Sequence, residues 1–124
     1  MSSRMENGVK IVAFKALNEL PFGIGSGLEA LYKSRYGNGE GGVVVENRSG
    51  RTIRAKVSSN SPIGWAVTDW YNISPDNQES WGRAPRNGAV DIVIDSPIGE
   101  RTIRRTPFVL IVVTDTDVML FERY

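Results

Sequence analysis

Two periods of apolar and polar positions divide the chain at a run of glycines. Before it, Val9, Val12, Ala13, Ala16, Leu17 and Leu20 recur at i, i+3, i+4, i+7, i+8 and i+11, the spacing of one helix face. This predicts an amphipathic helix over residues 9–20, ended by Pro21, with residues 1–8 polar and loose. Ile11 and Phe14 lie off the stripe, so the segment is apolar on more than one side, and a strand over residues 10–14 is the local competitor. Ser26 and Glu29 form a capping box that opens a second short helix over residues 28–36. Glycines at 37, 39, 41 and 42 then make a linker, flexible by composition.

Beyond residue 42 the period changes to two. Val43, Val44 and Val45 form a β-branched run. The Asn47-Arg48-Ser49-Gly50 cluster turns the chain, and Ile53, Ala55 and Val57 then alternate with Thr52, Arg54 and Lys56. That is the pattern of a hairpin with one face inward. Further strands are predicted over residues 63–73, 79–83, 90–95, 101–106, 108–114 and 118–121, separated by turn residues such as Ser74-Pro75-Asp76-Asn77 and Ser96-Pro97-Ile98-Gly99. Residues 79–83 are expected to pair with the strand before them. Residues 108–114 are apolar on both faces and hence central. Short strands at regular spacing indicate a sandwich. The fold expected is all-β, an antiparallel β-sandwich preceded by one or two short N-terminal helices, with residues 1–41 a helical segment and linker and residues 42–124 the sandwich.

Composition narrows the chemistry. A chain of 124 residues is one domain with room for a core. The net charge of +1 leaves only local patches to carry an electrostatic argument. The sequence has neither cysteine nor histidine, which excludes Ser-His-Asp and Cys-His nucleophiles, disulfides and His/Cys metal sites. No enzyme, no metal and no cofactor are therefore expected. The first residues lack a secretory layout, and no apolar run reaches the roughly 20 residues of a membrane helix. The expected address is the cytoplasm or, by a leaderless route, outside the cell. The glycines of residues 22–27 are not a phosphate loop, because neither G-x-G-x-x-G nor G-K-[ST] spacing is present.

Three constellations stand out. Trp65, Trp70, Tyr71 and Trp81, with Arg83 nearby, combine apolar rings and polar tips suited to a lipid headgroup or a sugar; tryptophan is equally usual in sandwich cores. Arg51, Arg54, Lys56, Arg101 and Arg104, joined by Arg48 and Arg105, make a basic surface if residues 43–57 and 90–106 lie side by side; solvated outer faces and sheet edges use the same residues. Asp91 with Asp95, and Asp115 with Asp117, read as surface acids. Asn47-Arg48-Ser49 and Asn72-Ile73-Ser74 match the glycosylation pattern.

The Leu28-Glu29-Ala30-Leu31 stretch, followed by the glycine-rich joint and Val43-Val44-Val45-Glu46-Asn47-Arg48-Ser49-Gly50-Arg51-Thr52, resembles the helix-to-first-hairpin region of the actinoporins, over residues 28–57. Trp70-Tyr71-Asn72-Ile73-Ser74-Pro75 is similar to an aromatic headgroup motif of that family, placed earlier in this chain. The chain is shorter than an actinoporin, and no second helix follows its strands. The resemblance implies a non-enzymatic, lectin-like or cytolysin-like (toxin) protein that binds membrane lipid headgroups or glycans. Trp70 and Tyr71 would then meet the headgroup, and a helix carrying Val9, Val12, Phe14, Leu17 and Leu20 would insert. The alternative is an intracellular interaction module whose N-terminal helices assemble a homo-oligomer. Neither reading involves nucleic acid.

Overall fold

The computed structural model describes residues 2–15, 42–62 and 66–123. They form ten strands: β1 (Ser2–Glu6), β2 (Val9–Phe14), β3 (Val43–Asn47), β4 (Ile53–Val57), β5 (Tyr71–Ile73), β6 (Gln78–Trp81), β7 (Val90–Ser96), β8 (Gly99–Arg105), β9 (Val109–Val113) and β10 (Val118–Arg123). One sheet has six strands in the order β1-β2-β10-β9-β3-β6, and the other has four in the order β5-β4-β7-β8. The smaller sheet is antiparallel throughout. The larger one is mixed, because β10 runs parallel to β2 and β3 runs parallel to β9.

The expected N-terminal helix is corrected. Val9, Val12 and Phe14 belong to strand β2, which pairs with β1 and β10 inside the larger sheet. Residues 2–14 are therefore part of the sandwich and not a leader. Leu17, Leu20 and the second expected helix lie outside the described residues. Among the described residues there is no α-helix, only one 3-10 turn at Pro85–Asn87, and no helix is long and apolar enough to cross a membrane. The helical stripe misleads because β2 is covered on both sides. Val9 and Ile11 point into the sandwich, Val12 and Phe14 point the other way, and all four are buried. A strand with two apolar faces loses its alternation, and its spacings then mimic a helix.

The link from residue 43 to residue 57 is also not a hairpin. Both strands exist, but β3 lies in the larger sheet and β4 in the smaller, so the Asn47–Gly50 turn carries the chain between layers. Likewise β6 pairs with β3 and not with β5. Only Tyr71–Ile73 of the expected strand at 63–73 is a strand, and residues 63–65 lie outside the described residues. By contrast β7 and β8 form the hairpin their turn residues predict, and β9 is central, between β10 and β3.

Alternation along the strands builds the core. Val43, Val45, Ile111, Val113 and Leu120 of the larger sheet meet Ile53, Ala55, Val57, Ile92, Ile94 and Ile103 of the smaller. The far side of the larger sheet is a second buried apolar layer of Val12, Phe14, Val44, Phe108, Leu110, Val112 and Phe121. At the β1 edge the two sheets are joined by charge. Arg105 of β8 donates to both carboxylate oxygens of Glu6, at 2.7 and 2.9 Å, and to Glu122 of β10 at 2.8 Å. The Asn7 side chain adds a bond to the Thr102 carbonyl, and Arg101 donates to the Gly8 carbonyl.

Candidate functional site

The structure does not gather Trp70, Tyr71 and Trp81 into one surface. Trp81 is buried in the main core. Trp70 is half-buried, and its ring face is already occupied, with the Arg54 guanidinium 4.3 Å and the Lys56 ammonium 4.6 Å from the centroid. A ring holding two of the protein's own cations is closed to a choline-like group on that face. Tyr71 is exposed at 48%, and Trp65 lies outside the described residues. With no α-helix formed at residues 9–14 and no aromatic cluster among the described residues, the lectin-like, cytolysin-like and lipid-binding reading is corrected, together with its toxin and membrane associations. The alternative of helix-mediated self-assembly falls with the helix.

The expected basic surface is divided as well. Arg54, Lys56 and Arg104 share the outer face of the smaller sheet, but Asp91 and Asp95 of β7 lie between them. Arg54 pairs with Asp95 and Arg104 with Asp91, both at 2.9 Å. Arg101 is on the opposite face of β8, turned toward the Asn7-Gly8 turn. Arg51 reaches the Pro97 carbonyl at 3.0 Å. Such a face is close to neutral, which is the plain surface reading of those acids.

Arg83 is 4% exposed and works as a clamp. Its guanidinium donates to the carbonyls of Ser58, Gly82, Val57 and Val67, tying the end of β4 to the chain beyond it. A cleft of about 530 Å³ beside it is lined by Trp81, Arg83, Asn60, Ser80 and Val67 among others. Asn60 spends its amide on the Ala84 and Gly88 carbonyls. The Arg83 guanidinium and the Asn60 amide nitrogen of this cleft are thus committed to the fold.

A pocket at the end of β3 differs. It has a volume of about 440 Å³ and is lined by Glu46, Asn47, Arg48, Asp76, Asn77 and Gln78. Glu46 follows three valines in β3, and alternation places it on the far face of the larger sheet, beside Gln78 of β6 and Val112 of β9. Its side chain is only 5% exposed. Oε2 accepts from Arg48 Nε at 3.3 Å, whereas Oε1 has no partner, alone among buried side-chain polar atoms of the described residues. Folded proteins leave few such atoms, since each costs about 1–3 kcal/mol.

Asn47 holds the pocket wall. Its Nδ2 donates to the Arg51 and Ile73 carbonyls, both at 2.8 Å, and its Oδ1 accepts from the Ser49 amide and hydroxyl. Its backbone bonds to Asn77 and Asp76, which fixes Asp76 in the left-handed region at φ 65°. With both amide hydrogens used and no exposed surface, Asn47 is no glycosylation acceptor in the folded chain. Glu46 entered the sequence reading only as part of the family resemblance. The signal that singles it out is an acid closing a run of three valines on a strand buried on both faces.

No family model, no curated protein and no solved structure matches the chain. The functional reading therefore rests on the geometry of the pocket itself. Among the described residues there is also no group of three or more His, Cys, Asp or Glu side chains placed to hold a metal ion.

Proposed function

We propose that the protein is a binding domain, not a catalyst, and that it takes a small polar ligand in the pocket at the end of β3. The observation that carries this is the buried, unpartnered Oε1 of Glu46, a residue that lines a polar cavity. A buried acceptor kept at a cost to stability is a feature of sites that bind. The wall is prepared in advance by the Asn47 bonds, so little ordering is needed when a ligand arrives. The sequence has no histidine or cysteine, so a nucleophile that is a cysteine or is activated by a histidine is not available.

A fragment screen by two-dimensional NMR tests this reading. Polar fragments bearing N–H or O–H donors should shift the backbone signals of residues 46–48 and 76–78, and Glu46→Ala should remove those shifts. Fragments that bind only around Trp81 and Arg83, or nowhere, would overturn the assignment.

A further inference from the structure

Building on the reading of this pocket as a binding site, we propose that its ligand presents a primary ammonium or a guanidinium, a monocation with N–H donors on its charged end. An ionised carboxylate can only accept hydrogen bonds, so what Glu46 Oε1 lacks is a donor. Charge narrows the class. Glu46 and Asp76 bring two negative charges to the lining and Arg48 brings one positive charge, leaving a net charge of −1. Arg48 is held on Oε2, at 3.3 Å, so the negative end that remains is Oε1. One positive charge from a ligand completes the balance.

The rest of the lining matches such a group. An ammonium carries three donors and a guanidinium five. Glu46 takes one, and the Asp76 carboxylate and the Asn77 and Gln78 amide oxygens supply further acceptors around the same cavity. Because Glu46 is almost fully enclosed, its attraction for a cation is screened less than that of an exposed carboxylate. A neutral donor would satisfy the hydrogen bond and leave the charge. An anion would meet two carboxylates. A divalent ion is less suited, since the described residues hold no group of three or more His, Cys, Asp or Glu side chains placed to bind one.

The test uses the full chain and simple probes followed by NMR titration: n-butylammonium, ethylguanidinium and neutral butyramide. The two cations should give saturable shifts at residues 46–48 and 76–78. Butyramide should bind about tenfold more weakly or worse, the ratio expected for one charge-assisted bond. Glu46→Gln should lose the cation preference while keeping its response to butyramide, and Asp76→Asn, at an exposed turn position that tolerates asparagine, should weaken the cations to a lesser degree. Blocked tripeptides with a central lysine or arginine distinguish a protein side chain from a free amine. Tighter binding of the peptides than of the probes identifies the former, and equal binding the latter. Butyramide binding as tightly as the cations would overturn the charge assignment and leave the pocket standing. Failure of all the probes to shift these residues would overturn both.

Discussion

At the residue scale, two neighbours on β3 do opposite things with buried polar atoms. Asn47 satisfies every donor and acceptor of its amide, whereas Glu46 leaves an oxygen open. Asn47→Ala removes the bonds to the Ile73 carbonyl, the Ser49 amide and the Arg51 carbonyl, of which the last keeps the Ser49 hydroxyl, at a cost of about 3 kcal/mol. Asn47→Asp, nearly the same shape, should cost at least as much because it turns an acceptor toward two carbonyls; urea denaturation of both variants checks this. Glu46→Met should act the other way. It replaces an unsatisfied acid beside Val112 with an apolar chain of similar length and should raise stability by roughly 1 kcal/mol while abolishing ligand binding. A destabilised Glu46→Met would show that the carboxylate is part of the fold. Sequence alone marks Asn47 as a turn residue from the Asn-Arg-Ser-Gly cluster. It does not show that the turn changes sheets, because a chain leaving one layer for another uses the same residues as one folding back on itself.

At the element scale the instructive strands are β1 and β2. Asn7 and Gly8, at φ 52° and 74°, make the two-residue turn that Asn-Gly favours, and this pair is the sequence signal for the hairpin. The helical spacing of Val9, Val12 and Ala13 obscures it, although Ile11 and Phe14 off the stripe already require a second buried face. What docks this hairpin against β8 is the Glu6–Arg105–Glu122 cluster. The hydrogen bonds from Arg105 hold the Glu6 carboxyl below its ordinary value, and the bond to Glu6 in turn raises the Arg105 guanidinium above its own. A lowered carboxylate stabilises the fold fully above its unfolded value and loses that contribution as pH falls through the folded one. The Arg105 shift acts only in strong alkali. Wild type should therefore lose more stability than Glu6→Gln between neutral pH and about pH 3, as read from denaturation midpoints. Equal losses in the two proteins would mean that Glu6 contributes nothing to docking the hairpin.

At the scale of the whole molecule, the all-β class and the positions of β7 to β10 are legible because turn residues and alternation agree there. The partnering of strands is not, since the parallel pairs β2–β10 and β3–β9 join segments far apart in sequence. No local pattern encodes that choice. The larger sheet is buried on both faces, and this sets its energetics. Ile111 points toward the smaller sheet and Leu110 away from it, into the layer of Phe14, Val44, Phe108 and Phe121, and both are fully enclosed. Were the far face a solvent surface, Leu110→Ala would stay within about 0.5 kcal/mol of wild type. As the second core it should cost about 2–5 kcal/mol, comparable with Ile111→Ala. Denaturant unfolding of the two variants side by side decides the matter. A mild Leu110→Ala beside a severe Ile111→Ala would reduce the sandwich to a single core. Comparable losses would establish that β9 is the spine of two.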